Sequence, residues 1–222
     1  MAYPGAVNRH VKVERDPRAE EKEPLNVLCR RFLVEGAKAG ERVLDVGCGK
    51  GELLLELRGL GCDAVGVEID PGEVAVCREA GLDVQQGAAE SLPYPSESFD
   101  RIVSSVVLPY TDEKRAVVEL ARVLRPGGHI RVTCHGIGYA MHFMLVGPGP
   151  KRFYGGRMLV NTALYRATGR RIPGPMGDAI CQSGKRLARY YEAAGLRLEQ
   201  ELWVGAYAGS ARFLCHHVTK PV

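Results

Sequence analysis

Three absences narrow the reading of this 222-residue sequence before any motif is considered. Its seven cysteines (Cys29, Cys48, Cys62, Cys77, Cys134, Cys181 and Cys215) include no Cys-x-x-Cys pair. An odd, scattered set of this kind excludes a disulfide framework and a zinc knuckle, so the thiols are expected to be reduced and buried, with no metal site. No apolar run approaches the roughly 18 residues that a spanning helix requires. The first residues, MAYPGAVNRHVKVERDPRAEEKEP, turn charged within ten positions and have no apolar core of the secretory kind. The expectation is a soluble, cytoplasmic protein with one substantial core. Acidic residues are scarce in one place. From Gly136 to Arg189 nine basic residues face a single acid, Asp178, so this segment nets +8 while the whole chain nets +4.

What is present has the rhythm of an α/β protein. Pro24 to Ala37 has apolar residues at helical spacing. Short β-type runs follow at Arg42 to Val46, Ala64 to Glu68, Leu82 to Gln86, Phe99 to Ser105 and His129 to Cys134. The segments between them are long enough for helices. One opens with Asp70-Pro71-Gly72-Glu73, which reads as a cap, a first-turn proline and an acid. Another, Asp112 to Leu124, places Val117, Leu120, Ala121 and Leu124 on one face and is expected to stop at Arg125-Pro126-Gly127-Gly128. Strands alternating with helices in this way pair in parallel and carry helices on both faces. The sequence therefore divides into an N-terminal helical cap (1–40), a core (41–135), a basic and apolar insertion expected to form a lid (136–182), and a closing helix with two last strands (183–222). The fold class is a doubly wound, mostly parallel seven-stranded sheet.

The chemistry centres on Val43 to Leu54, VLDVGCGKGELL. In a doubly wound sheet the loop after the first core strand lies where ligands bind. Glycines there let backbone approach a ligand, and the following helix presents free N–H groups. Three ligands compete. A Walker A loop needs Ser or Thr after Gly-Lys for magnesium, and Lys50-Gly51 is followed by Glu52. A dinucleotide fingerprint is spaced GxGxxG, whereas this loop is GxGxG and carries Asp45 just ahead, where a carboxylate would repel a pyrophosphate. A cationic, phosphate-free nucleoside suits that acid, and S-adenosylmethionine is such a ligand. Glu68, ending the second core strand 23 residues later, is placed to accept hydrogen bonds from both ribose hydroxyls.

Together with VGVEID, GAAESLPYPSESFDRIVSS and ELARVLRPGGHIRVT, the glycine loop resembles the class I S-adenosylmethionine-dependent methyltransferases, of the small-molecule type that includes ubiquinone and menaquinone biosynthesis enzymes. The resemblance covers about Glu41 to Cys134. It implies a Rossmann-like methyltransferase fold with S-adenosylmethionine as cofactor. It also implies that Asp45, Gly47, Gly49 and Gly51 line the methionine and ribose portions, that the backbone of Cys48 contributes, and that Glu68 holds the ribose. By the same token Ile69 packs on adenine, Ala89 and Glu90 flank its edge, and Ser104 and Ser105 meet the methionine amine. One position departs from the family's Gly-Asp-Ala. Here Gly87-Ala88-Ala89 lacks the carboxylate usually offered to the adenine amino group.

A sulfonium methyl is already activated, so the protein has mainly to hold an acceptor in line; a base helps if the acceptor is a hydroxyl. His135, directly after the fifth core strand, has the best position for that base, set against an ordinary pocket-lining histidine. Tyr110, Tyr139 and His142 are candidate lid residues, and Tyr3 and His10 could belong to an N-terminal cap. His216-His217 reads as structural, and Tyr190-Tyr191 as one buried and one exposed ring. The basic insertion suits an anionic or lipid-like small molecule, a membrane surface, or merely solvated arginines. The expected function is methyl transfer to oxygen or carbon of a small, apolar or anionic molecule. Two rivals stay open. One is an RNA methyltransferase using the insertion, although Ser104-Ser105-Val106-Val107-Leu108-Pro109-Tyr110 lacks the Asn/Asp-Pro-Pro-aromatic of amino-methylating nucleic-acid enzymes. The other is a non-catalytic cofactor-binding module.

Overall fold

The computed structural model describes residues 13–15, 23–173 and 178–222. Its framework is one eight-stranded sheet. The strands are β1 (Val13–Arg15), β2 (Arg42–Val46), β3 (Asp63–Glu68), β4 (Val84–Gln86), β5 (Phe99–Ser105), β6 (Leu124–His135), β7 (Arg197–Tyr207) and β8 (Ser210–Thr219), in the spatial order β1-β7-β8-β6-β5-β2-β3-β4. All neighbours are parallel except those of β8, which runs antiparallel between β6 and β7. The expected seven strands are present, with the short β1 added at the edge beside β7. Chain order reverses between β2 and β5, and the crevice at this switch point is where such sheets bind ligands.

Alternation along the strands sends side chains to two separate cores. One face packs α4 (Glu113–Val123) and α7 (Gly184–Ala193) through Val117, Leu120, Leu187 and Tyr191. The other packs α1 (Leu25–Val34), α2 (Glu52–Gly59) and α3 (Pro71–Glu79) through Phe32, Leu54, Leu57 and Cys77. The β2 row of buried residues shows the division: Leu44 and Val46 belong to the first core and Val43 to the second. Local signals explain the helix starts. Asp70 accepts from the N–H groups of Gly72 (2.7 Å) and Glu73 (3.1 Å) with Pro71 in the first turn, as its sequence requires. Asp112 caps α4 in the same manner through Arg115 N–H.

The Arg125-Gly128 stretch follows the end of α4 at Val123, as expected, but is itself part of a strand. Rather than separating helix from strand, it lies inside β6, which starts at Leu124 opposite Phe99 and resumes pairing at Arg101 with His129 across an irregularity. Leu124 and Phe99 are both fully buried, and burying that pair keeps the chain in the sheet through the glycines. Between β6 and α7 the insertion forms a hairpin of α5 (Ile137–Val146) and α6 (Pro150–Thr168), with a small core of its own around Ala140, Met158, Ala179 and Cys181. All seven cysteines are buried and unbridged. Among the described residues no helix is long and apolar enough to cross a membrane, and no cluster of three or more potential metal ligands occurs.

Candidate active site

Two adjoining cavities open at the switch point and share Gly47 and Ser105. The first, about 330 Å³, is lined by Asp45, Gly47, Cys48, Lys50 and Glu52 together with Asn26 and Arg30 of α1. The second, about 360 Å³, is lined by Glu68, Ile69, Gly87, Ala89 and Glu90 on one side and Val106, Val107, Tyr110 and Thr111 on the other.

The loop between β2 and α2 has its shape because Gly47, Gly49 and Gly51 all adopt positive φ, at 71°, 52° and 80°. At Gly47 a second constraint is added: a Cβ there would collide with Cγ2 of Val107 from the β5 loop. Two hydrogen bonds from Gly47 and Cys48 N–H to the Val67 carbonyl hold the loop's start (2.8 and 3.2 Å). Its centre is held by Glu68, whose carboxylate accepts from Gly49 N–H at 2.9 Å on one oxygen and from Ile69 and Asp70 N–H (2.8 and 3.1 Å) on the other. The acid expected to hold the ribose thus also supports the glycine loop. Cys77 donates to the Gly49 carbonyl from below (3.1 Å). Burial raises the thiol pKa of Cys48, so its contribution to the site is steric and through its backbone.

Asp45 differs from Glu68 in having no such partners. It is 1% exposed, and its Oδ2 is buried without a hydrogen bond. Burial, and secondarily the charge of Glu68, pushes its carboxyl up to about 7. An unpaired buried carboxylate is costly unless something outside the protein satisfies it. Arg30, whose charge acts on it, is engaged by Glu52 and Glu56 across the α1–α2 contact. A cationic ligand in the first cavity would complete this arrangement.

In the second cavity Ile69 is 67% exposed, an apolar side chain standing where a planar base would cover it. Glu90 lines the same wall and accepts from Asp112 N–H at 2.8 Å, so the carboxylate absent at Ala88 has a neighbour within the lining. Ala88 itself bridges to Ser91. The opposite wall leaves β5 through Val106, whose φ of 60° is strained for a β-branched residue and is stabilised by a hydrogen bond from its N–H to the Thr133 carbonyl (2.9 Å).

The structure separates several residues that the sequence had grouped. Ser105 lines both cavities, but Ser104 points into the opposite core, where its hydroxyl donates to the Val46 carbonyl at 3.1 Å. Period-two alternation makes it impossible for both to face the same cavity. Tyr110 lines the second cavity and its hydroxyl meets that of Tyr154 in α6 at 3.0 Å. Tyr139 and His142 line neither cavity. They belong to an aromatic cluster in which Tyr139 stacks on His135 (centroids 3.7 Å apart) and His142 meets Tyr207 edge-on. His135 is likewise outside both linings. Register puts it on the face of Asp45 and Ser105, since Ser105 pairs with Thr133, two residues before it. Its Nδ1 is buried and unpartnered, and burial holds its pKa down to about 3. A histidine so hard to protonate is a weak base in the cofactor-free protein. Tyr3 and His10 lie outside the described residues. His216 is structural as expected, bonded to Tyr191 and Glu201 in the buried core (3.2 and 3.1 Å). Tyr191 is fully buried, while Tyr190 is half-buried rather than exposed.

Asn26, Arg30, Lys50, Val107 and Thr111 were absent from the sequence expectations. Lys50 and Val107 adjoin the motifs and could have been included by proximity. Asn26 and Arg30 reach the cavity only because α1 packs across α2, which no local pattern announces.

Residues 44–132, which carry the glycine loop at the switch point, the unsatisfied Asp45 and the strand-end Glu68, match the methyltransferase domain family. S-adenosylmethionine is its cofactor, and the orphaned carboxylate of Asp45 and the Cβ-free cradle at Gly47 fit that group. The chain is similar to a demethylmenaquinone methyltransferase of Thermus thermophilus, 33% identical over 146 residues, covering 58% of this chain and 64% of the relative. It is also similar to a tRNA (carboxymethyluridine(34)-5-O)-methyltransferase of Arabidopsis thaliana, 34% identical over 106 residues, which are 45% of this chain and 25% of that one. The chain therefore spans less than two thirds of either relative. Among solved structures, an S-adenosylmethionine-dependent methyltransferase from Mesorhizobium loti superposes with a TM-score of 0.64 at 18% identity, covering 88% of this chain and 99% of the other. The [4+2]-cyclase SpnF superposes with a TM-score of 0.62 at 24% identity over 89% and 81%. Both likenesses concern the fold, and the second shows that the fold is also used by a protein named for a different reaction.

Proposed function

We propose that this chain transfers a methyl group from S-adenosylmethionine to an oxygen or carbon of a small, apolar or anionic molecule. The observation that carries the cofactor's part of the reading is Asp45, a buried carboxylate unpaired within the protein at the carboxyl edge of the central strand, and the apolar wall of Val106, Val107 and Tyr110 supports the acceptor's part. The bound cofactor supplies a methyl group on a cationic sulfur, already activated for transfer. The protein's own contribution is placement. Asp45 and the glycine loop would take the methionine portion, Glu68 the ribose, and Ile69, Ala89 and Glu90 the base. Val106, Val107 and Tyr110 would then form an apolar wall against which the acceptor is held in line and water is excluded. In this reading His135, outside both linings and stacked on Tyr139, supports the acceptor's side of the site rather than deprotonating the acceptor.

Similarity extends to both quinone and tRNA methyltransferases, so RNA is the second reading. The placement of the insertion's cations favours the first. Arg171 donates to the Pro109 and Thr111 carbonyls at the cavity wall, and just after the insertion Arg186 pairs with the fully buried Glu113 and donates to the Cys181 carbonyl. These arginines hold the hairpin in place rather than line a groove for phosphates. The deciding experiment incubates the purified protein and methyl-labelled cofactor with a lipid-soluble extract, with total tRNA, or with neither. Label in the small-molecule fraction supports the proposal. Label in tRNA alone replaces it with the second reading, and cofactor binding without label in any fraction leaves a binding module.

A further inference from the structure

The outer side of the α5–α6 hairpin carries an apolar surface that the cofactor site does not use. Leu145 and Val146 at the end of α5 are 53% and 57% exposed, and Phe153 and Val160 on α6 are 75% and 56% exposed. Phe153 and Val160 are seven residues apart, two turns, and so lie on one side of α6; the exposed Ala163 and Ala167 continue that row. Around it stand the exposed Lys151, Arg152, Arg166 and Arg170, and the sequence has no acidic residue from Gly136 to Gly177. The turn between the helices, Gly147-Pro148-Gly149-Pro150, presents two exposed prolines beside Lys151, Arg152 and Phe153, so one tip combines apolar and cationic groups.

We propose that this hairpin face is a docking surface for an anionic lipid bilayer, with the Leu145–Phe153 tip and the Val160 row in the headgroup region and the four cations against lipid phosphates. The proposal does not depend on which molecule is methylated. A membrane surface uses both chemistries at once, since apolar area and cationic charge each add to interfacial binding. RNA would use the cations and could stack one base on Phe153, but would gain little from the aliphatic Leu145, Val146 and Val160 that make up the rest of the face. A second copy of the chain, docked face to face, would set these cations against their own equivalents with no acid to neutralise them. The bound protein lies on the bilayer and does not span it, because none of the described helices is long and apolar enough.

The test is co-sedimentation of the full chain with phosphatidylcholine vesicles, and with vesicles in which a third of the lipid is phosphatidylglycerol. The expected result is retention on the anionic vesicles at least about tenfold above the neutral ones, lost at high salt. Leu145→Ser with Phe153→Ser, and separately Lys151→Glu with Arg152→Glu, are each expected to lower that retention by about tenfold. Circular dichroism and cofactor affinity should stay unchanged in both variants. Equal retention on neutral vesicles, no retention on either, or retention indifferent to both variants would overturn the proposal. So would tRNA binding dependent on Lys151 in a protein that ignores vesicles, or a solution dimer that Phe153→Ser breaks.

Discussion

The cofactor cradle and the α5–α6 insertion occupy the same edge of one sheet but are built on opposite principles. The cradle leaves polar groups unsatisfied: Asp45 is buried with an orphan oxygen, and Val106 is held in a strained conformation beside it. Among the described residues the insertion satisfies most of its own, the side-chain amide of Gln182 at its end excepted. Arg171 holds the Pro109–Thr111 turn, Asn161 exchanges hydrogen bonds with Ile172, and Thr162 accepts from Cys181 N–H at 2.8 Å while donating to the Met158 carbonyl. What the insertion mainly leaves unsatisfied is apolar surface. A polar deficit calls for a small charged ligand, and an apolar surplus calls for a larger partner; the two regions thus ask for different things from solution.

The strongest way to break this contrast is Asp45→Asn. Loss of the carboxylate is expected to weaken S-adenosylmethionine binding by about 100-fold, in line with removing a buried charge partner. The same change should stabilise the cofactor-free protein. Because the folded carboxyl is raised to about 7 above its ordinary value of 3.8, the folded state binds the extra proton between these limits and stability falls as pH rises through that window. At pH 8 the asparagine variant should therefore be more stable by roughly 2–4 kcal/mol in urea titrations without cofactor, and no more stable at pH 4. Next in size is Gly47→Ala. A Cβ in the left-handed conformation and against Val107 should cost about 1–3 kcal/mol of stability and at least tenfold in cofactor affinity, measured by denaturation and calorimetry.

The departure at Ala88 offers a gain instead of a loss. Ala88→Asp places a carboxylate beside the base-binding wall and should tighten cofactor binding by about threefold, a modest return because Glu68 and Glu90 are nearby like charges. The smallest change belongs to the boundary between the two regions. His135→Gln keeps a polar group under Tyr139, and is expected to raise the acceptor KM by about twofold with cofactor affinity unchanged. A loss of kcat with a new acidic limb in its pH profile would instead restore His135 as a base.

The cradle was legible in the sequence because its chemistry is local. Gly47, Gly49 and Gly51 need positive φ within one loop, Asp45 precedes them by two residues, and Asp70-Pro71 starts its helix by its own hydrogen bonds. Ser104 was misjudged only in orientation, because strand register decides which of two adjacent serines faces the ligand, and register comes from pairing between β5 and β6. Arg125-Pro126-Gly127-Gly128 was read correctly as the end of α4; that the stretch itself belongs to β6 was not legible, because cross-strand burial of Leu124 against Phe99 decides it. The insertion was legible as basic and apolar, yet not as a hairpin with its own core. Nor did the composition of the basic 136–189 segment distinguish Arg171 and Arg186, which hold the fold together, from Arg166 and Arg170, which are exposed.

Recognition of a cation by a reluctant acid is the core of this account, and its direct test is calorimetric titration of the wild-type chain with S-adenosylmethionine between pH 6 and pH 8. With the Asp45 carboxyl titrating at about 7, affinity should rise roughly tenfold across that range, and binding at pH 7 should release about half a proton per site, visible as buffer-dependent heat. An affinity that is flat with pH and a heat that is the same in every buffer would contradict it.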